Sequence, residues 1–218
     1  EREEGAGEEL LCRWQGDDPR VGGALVGGLR GGNRMLGAAM GLAAGGEAEE
    51  VFASLKAVRS VRGRMELAAT RSNGASVYVD YAHTPDAVAT ALRALRPHVM
   101  GQLVVVLGAG GDRDPGKRVL MGQAAAEFAD VVFVTDDNPR CEDPADIRAM
   151  VMVGVADATD VADRAEAILR AVDCLQSGDT LLIAGKGHES GQIIGDDVFP
   201  FDDVEQASIA VAALEGEY

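Results

Sequence analysis

The sequence predicts an α/β domain with a doubly wound, mostly parallel β-sheet. Two observations lead to this prediction. From about residue 61 onward, short apolar segments of strand type alternate with longer segments of helical periodicity. The strand segments are also nearly continuously apolar, as in Leu103–Leu107, which is typical of strands buried on both faces. A parallel sheet with helices on both faces satisfies both observations.

We expect strands in this region at residues 65–70, 77–81, 103–107, 131–135 and 180–184. The Ser-Asn-Gly sequence at 72–74 separates the first two strands and predicts a hairpin turn. The first helix should begin with Thr84 as N-cap and Pro85 in its first turn, and it should end at Pro97. Further helices are expected at residues 117–128, 145–153, 164–175 and 203–214.

Residues 1–60 form a separate region in this interpretation. We expect a short β region there, with strands at 10–14 and 24–29, followed by a helix near 35–44. The domain boundary is therefore predicted at about residue 61, where the regular alternation of strands and helices begins.

The composition excludes several classes of function. Apolar residues make up 47% of the 218 residues and aromatic residues 4%, so an ordinary globular core must be built from Ala, Val and Leu. A net charge of −16 argues against a nucleic-acid partner. Three cysteines without metal-binding spacing indicate a reducing compartment, and no apolar run is long enough to span a membrane. We expect a cytoplasmic monomer without a membrane partner.

Four polar loops follow predicted strands, at residues 80–83, 108–117, 136–140 and 185–189. The carboxyl ends of parallel strands meet at one edge of the sheet, where α/β proteins bind their ligands. Five cations stand out in or next to these loops against the acidic background: Arg113, Lys117, Arg118, Arg140 and Lys186. The sequence therefore predicts one pocket that accepts an anionic ligand.

The loop after the predicted strand 131–135 has the composition of a site for a zwitterion. It contains Asp136, Asp137, Asn138 and Arg140. Arg140 could donate two hydrogen bonds to a carboxylate, while Asp137 could hold an ammonium group. The alternative is an Asp-Asn-Pro turn that merely ends the strand.

The glycine-rich loop at 108–118 resembles two nucleotide-binding motifs without matching either. A G-x-G-x-x-G fingerprint would need glycine in place of Arg113. A P-loop nearly fits residues 111–117, but Arg118 replaces the hydroxyl that would bind magnesium. We favour a site for an organic anion that uses Arg113, with a structural turn as the alternative.

Several further polar residues have both a functional and a structural interpretation. Glu189 could hold a second ammonium contact, and His188 could shuttle protons or be structural. Asp80 could bind a ribose or cap a helix, and His83 lies close to a helix N-terminus, where phosphate binds well. Arg64 could approach a phosphate or simply be exposed at a strand end.

Five motifs together resemble the Mur ligases, at residues 63–66, 80–87, 110–118, 137–140 and 184–189. The resemblance covers about residues 25–214 in the family's order. It implies that residues 61–218 are the Rossmann-like C-terminal domain, which binds the amino acid. Residues 1–60 would then be the end of the central ATPase domain.

The resemblance also implies a function. It indicates an ATP- and Mg²⁺-dependent amide ligase of peptidoglycan synthesis. This ligase activates the D-glutamyl carboxylate of UDP-MurNAc-L-Ala-D-Glu as an acyl phosphate, and the amino group of meso-diaminopimelate attacks it. The residues implied in diaminopimelate binding are Arg113, Asp137, Asn138, Pro139, Arg140, Gly185 and Glu189. The residues implied near ATP are Asn33, Arg64, Asp80 and His83, and no metal ligand or catalytic group is implied within this chain.

Two departures from the family pattern bear on this interpretation. Arg30 stands where the family has the first asparagine of a G-x-x-N-x-x-N pattern, which affects the expected adenine contact. No intact P-loop precedes these motifs, so we expect a C-terminal fragment that does not catalyse ligation by itself. Two alternatives remain: a related ligase that adds lysine, against which Arg140 argues, and a non-catalytic amino-acid-binding module.

Overall fold

The computed structural model describes residues 9–11, 20–22, 28–57 and 61–216. The chain divides into two compact units, Glu1–Ser60 and Val61–Tyr218.

The described residues of the first unit form a two-stranded antiparallel sheet and two helices. Its elements are β1 (Glu9–Leu11), β2 (Arg20–Gly22), α1 (Gly28–Ala43), α2 (Ala48–Ser54) and a 3₁₀ turn at Leu55–Ala57. Ala38, Phe52 and Leu55 form its small apolar core. The prediction of a strand at 24–29 is wrong for residues 28 and 29, because the structure places both in α1. Residues 24–27 lie outside the described residues, and α2 was not predicted.

The second unit is built on a six-stranded sheet. In spatial order its strands are β3 (Glu66–Thr70), β4 (Ser76–Asp80), β8 (Thr180–Ala184), β5 (Leu103–Leu107), β6 (Val131–Val134) and β7 (Thr159–Asp160). Only β3 runs antiparallel to its neighbour in this sheet. A separate hairpin joins β9 (Gly191–Ile194) to β10 (Asp197–Pro200). The five predicted strands are confirmed to within one residue at each end, whereas β7, β9 and β10 were not predicted.

The helices cover both faces of this sheet. They are α3 (Pro85–Leu95), α4 (Gly116–Phe128), α5 (Pro144–Val153), α6 (Arg164–Asp173) and α7 (Asp203–Glu215). Helices α3, α4 and α5 pack in sequence against one another, and α6 packs against α7. Alternate residues of β5, Val104 and Val106, are buried in the apolar cluster formed with α6 and α7. The doubly wound α/β fold is therefore confirmed.

The predicted turn and cap signals are also present. The hairpin between β3 and β4 turns at Gly74, whose φ of 89° favours glycine. The Thr84 hydroxyl accepts a hydrogen bond from the Ala87 N–H at 3.3 Å, and Pro85 is the first residue of α3. Within the described part of the chain, no helix has the length and apolar character needed to cross a membrane.

Candidate functional site

A cavity of about 270 Å³ opens at the carboxyl edge of the parallel strands. The loops that follow β4, β5, β6 and β8 all contribute to its walls, as the strand order requires. The structure brings together seven of the residues proposed for the site: His83, Arg113, Asp137, Asn138, Arg140, Gly185 and Glu189. Their roles in binding stay predictions.

The other four predicted site residues do not line this cavity. Pro139 is buried, and its carbonyl lies against Gly111 on the neighbouring loop. The Asp80 carboxylate accepts a hydrogen bond from the Met65 N–H at 2.7 Å. The Arg64 guanidinium lies over the Tyr81 ring, 4.7 Å from its centroid. Asn33 is exposed on helix α1 of the first unit.

Asn138 is held in a single orientation by the groups around it. Its Oδ1 accepts hydrogen bonds from Lys186 Nζ at 2.8 Å and from the Ile193 N–H at 3.0 Å. Its Nδ2 therefore points the other way and donates to Glu189 Oε2 at 3.0 Å. This leaves one N–H of the amide for a ligand.

Lys186 is fully buried beneath the cavity. Besides Asn138, its ammonium donates to the Gly191 carbonyl at 2.9 Å and lies 3.5 Å from an oxygen of Asp137. Burial lowers the pKa of Lys186, while the nearby Asp137 carboxylate opposes this shift. Lys186 therefore ties the loop after β6 to the start of β9 instead of presenting a charge to a ligand.

Arg140 has left-handed backbone geometry, with a φ of 52°. The β9 hairpin holds its backbone, because its N–H donates to the Ile193 carbonyl and its carbonyl accepts from the Gly195 N–H. Its Nη1 donates to the carbonyls of Gly111 at 2.9 Å and Asn138 at 3.3 Å. Nε and Nη2 have no partner among the described residues, so they remain available as donors.

Arg118 differs from the prediction that it contributes positive charge to the pocket. Its side chain is only 2% exposed. Nη1 and Nη2 donate to the two carboxylate oxygens of Glu142 at 2.8 and 2.7 Å, and Nη2 also contacts the Gly110 carbonyl. Hydrogen bonding to Arg118 lowers the pKa of Glu142. Arg118 thus joins two loops, whereas Arg113 and Lys117 are exposed.

The prediction that both carboxylates of the loop after β6 lie together at the site is wrong for Asp136. Asp136 forms an ion pair with Arg148 of helix α5, and Arg148 also donates to Asp160 at 2.7 Å. Successive residues of an extended segment point to opposite sides. Asp137 therefore lines the cavity while Asp136 faces α5 and β7.

Tyr81 is a cavity residue that the sequence interpretation missed. Its hydroxyl lies 3.5 Å from Glu189 Oε1, and its ring lies 4.5 Å from the His83 ring and 5.0 Å from the His188 ring. The sequence did offer a signal for Tyr81, because it lies at the end of a strand, between Asp80 and His83. His188 is exposed and does not line the cavity.

A buried ion pair supports the loop after β8 from below. Arg164 Nε and Nη2 each donate to an oxygen of Asp203 at 2.8 Å, and Nη2 also donates to the Ala184 carbonyl at 3.0 Å. Both side chains are fully buried. The pair joins α6 and α7 to the strand end next to Gly185.

The described residues contain no group of three or more His, Cys, Asp or Glu side chains that could hold a metal ion.

The fold and the sequence match a family of ligases. The family model for the glutamate ligase domain of Mur ligases matches residues 63–187, and the chain belongs to this family. The family predicted from the five motifs is therefore confirmed.

Individual proteins of this family are also similar to the chain over most of its length. The chain is 50% identical over 209 residues to a UDP-N-acetylmuramoyl-L-alanyl-D-glutamate–2,6-diaminopimelate ligase from Zymomonas mobilis, covering 94% of this chain and 43% of that protein. It is 52% identical over 181 residues to the ligase of the same name from Bradyrhizobium diazoefficiens, covering 83% of this chain and 37% of that protein. The chain thus spans less than half the length of these relatives.

Solved structures agree with this assignment. A structure of a UDP-N-acetylmuramoyl-L-alanyl-D-glutamate–2,6-diaminopimelate ligase superposes with a TM-score of 0.71 at 37% identity, covering 95% of this chain and 42% of that one. A UDP-N-acetylmuramate–alanine ligase from Thermotoga maritima shares the fold, with a TM-score of 0.66 at 18% identity, covering 92% of this chain and 41% of that one.

Proposed function

We propose that this chain is the C-terminal portion of an ATP-dependent ligase that adds meso-diaminopimelate to UDP-MurNAc-L-Ala-D-Glu in peptidoglycan synthesis. Residues 61–218 would be its amino-acid-binding domain and residues 1–60 the end of its central ATPase domain. The observation that supports this most directly is the cavity, which carries acidic groups together with the unpaired donors of Arg140. The names of the relatives agree with it.

The charges of the cavity suit one end of meso-diaminopimelate, which carries both an ammonium and a carboxylate. We assign the carboxylate to Arg140 and Arg113, and the ammonium to Asp137 and Glu189. The free N–H of Asn138 adds a donor for the carboxylate. Lysine has no carboxylate at this end, so its binding would leave the Arg140 donors unpaired and cost a few kcal/mol.

ATP with Mg²⁺ supplies, when bound, the phosphoryl group that activates the D-glutamyl carboxylate. In our proposal Arg64 and His83 approach its phosphates, Asp80 its ribose and Asn33 its adenine. His83 is the member of this set that lines the cavity. Its Nδ1 is 2.9 Å from the Tyr81 carbonyl, so its Nε2 edge is the one left for a ligand. The nucleotide and amino-acid sites would meet at this wall.

Phosphate release by the full-length ligase and ATP binding by this chain test this function. We expect the full-length ligase to release phosphate from ATP only when UDP-MurNAc-L-Ala-D-Glu and meso-diaminopimelate are both present. We expect this chain by itself to bind ATP weakly or not at all, as measured by calorimetry, and to ligate nothing. A full-length enzyme that prefers lysine would show that the amino acid is assigned wrongly. An intact full-length protein without ATP turnover would indicate a binding module instead.

The proposed setting is the cytoplasm, with the enzyme acting as a monomer on small-molecule substrates. Gel filtration of the full-length protein with light scattering measures the oligomeric state directly.

A further inference from the structure

Gly110 lies against the guanidinium of Arg140 on the wall of the cavity. A Cβ atom at residue 110 would be 2.8 Å from Arg140 Nη1, whereas ordinary contact begins at 3.4 Å. Its other neighbours are farther away, at 3.7 Å for Arg113 Cγ and 3.8 Å for the Asn138 carbonyl. The guanidinium of Arg140 therefore occupies the space that any side chain at residue 110 would need.

The same loop also orients this guanidinium. Arg140 Nη1 donates to the Gly111 carbonyl at 2.9 Å and to the Asn138 carbonyl at 3.3 Å. The Gly111 N–H donates to that Asn138 carbonyl at 2.8 Å, so the two loops form a seat with fixed acceptors. With Nη1 held in this seat, Nε and Nη2 are the remaining donors of a planar guanidinium that lines the cavity.

We infer that Gly110 is a specificity-determining position, because its missing side chain makes room for the Arg140 guanidinium that reads the distal carboxylate of the substrate. This inference rests on the proposed function. Residue 110 does not have left-handed backbone geometry, so alanine there is compatible with the local backbone. Alanine would instead push Nη1 away by about 0.6 Å, from 2.8 to at least 3.4 Å.

A displacement of this size matters more for recognition than for folding. The atom that a Cβ at residue 110 would meet is the end of a long side chain, so Arg140 can move away by giving up its Nη1 contacts to Gly111 and Asn138. Two hydrogen bonds to one carboxylate demand a geometry held within roughly 0.5 Å, and a 1 Å misplacement can cost about a hundredfold in rate. The kcat/KM for an amino acid without that carboxylate would not depend on the position of the Arg140 guanidinium.

The test compares Gly110→Ala with Gly116→Ala in the full-length ligase. Gly116 lies in the same loop region, and a Cβ there would meet only an Asp114 oxygen at 3.3 Å. We expect Gly110→Ala to lower kcat/KM for meso-diaminopimelate at least about tenfold, and to change kcat/KM for lysine less than about threefold. Gly116→Ala should leave both values near those of the wild type.

A double-mutant cycle separates recognition from a general structural effect. In the background of Arg140→Ala, Gly110→Ala should have no further effect on meso-diaminopimelate, because the group it displaces is already gone. Additive effects in this cycle, or equal losses for both amino acids, would overturn the inference. A crystal structure of Gly110→Ala that retains the bond from Arg140 Nη1 to Gly111 would also overturn it.

The outcome for the wild type distinguishes the two proposals. A wild-type ligase that does not use meso-diaminopimelate overturns the proposed function and, with it, the specificity role of Gly110. An active wild type whose amino-acid preference is unchanged by Gly110→Ala overturns the inference only.

Discussion

Two groups of cationic side chains lie at or next to the cavity, and they differ in what their donors contact. The anchored cations are buried, and each donates hydrogen bonds to carboxylate or carbonyl oxygens of the protein: Arg118, Arg164 and Lys186. The open cations line the cavity with exposed or half-buried side chains, and no carboxylate of the described residues pairs with them: Arg113, Lys117 and Arg140. Residue type and position in a polar loop do not distinguish the two groups.

The comparison shows that positive charge near a site has two uses. An anchored cation joins loops that are distant in sequence, as Lys186 does with Asn138, 48 residues away. An open cation keeps donors for a ligand, as Arg140 does with Nε and Nη2. Two of the anchored cations, Arg118 and Lys186, hold the loops that carry the open cations. This matters for ligand binding, because a donor recognises a ligand only if its own backbone is held in place.

The largest effect is expected from breaking an anchored pair. Asp203→Ala leaves Arg164 buried without its carboxylate, and should lower the free energy of unfolding by about 3–5 kcal/mol. Glu166→Ala is the matched control, because it removes the exposed partner of Arg170 and should cost less than about 1 kcal/mol. Urea denaturation measures both. Equal losses in the two variants would show that the buried ion pair of an anchored cation stabilises the fold no more than an exposed ion pair does.

Removing an open cation should affect ligand recognition instead of folding. In the full-length ligase, Arg140→Ala should raise the KM for meso-diaminopimelate by an amount worth on the order of 2–4 kcal/mol, while the KM for ATP is unchanged. Arg140→Lys should recover only part of this, because an ammonium lacks the planar fork. If the KM for lysine rises equally, Arg140 supports the loop and does not read the carboxylate.

Lys117, which lines the cavity, and Lys186, which is buried beneath it, provide the closest comparison. Lys186→Met removes the donor that fixes Asn138, and should lower the free energy of unfolding by about 1–3 kcal/mol. It should also raise the KM for meso-diaminopimelate, since Glu189 loses its oriented partner. Lys117→Met, at an exposed position, should change stability by less than about 0.5 kcal/mol. Thermal unfolding and steady-state kinetics of both variants test this, and similar stability losses would count against it.

The smallest effect concerns acid unfolding. Hydrogen bonds from Arg118 lower the folded-state pKa of Glu142 below its ordinary value of 4.5. The stabilisation is therefore present above pH 4.5 and is lost as the pH falls through the folded-state pKa. Glu142→Gln should reduce the loss of Tm between pH 6 and about pH 3.5. An unchanged slope of Tm against pH would show that this contact does not contribute to stability.

Part of the fold could be predicted because its signals are local. The apolar run Leu103–Leu107 was predicted as a strand to the residue, and Thr84 and Pro85 identified the start of α3. Strand β7 was missed because it has only two residues. The β9 hairpin was missed because none of its residues is buried, so burial leaves no periodic pattern in its sequence.

Part of the site could be predicted for a similar reason. Asp137, Arg140 and Glu189 follow parallel strands of one sheet, so their convergence follows from topology. Whether a polar residue there faces the ligand or another loop depends on its partners. Asp136 was misjudged because its partner Arg148 lies on a helix that follows it, 12 residues further along.

The sequence by itself determined which segments become strands and helices, and which loops meet at the carboxyl edge of the sheet. These properties depend on periodicity and on residues close together in the chain. Tertiary structure alone decided which cations are anchored and which are open, and where a glycine must make room for Arg140. These properties depend on contacts between residues 24 to 48 positions apart. Burial favours such contacts, because a buried donor or acceptor without a partner costs about 1–3 kcal/mol.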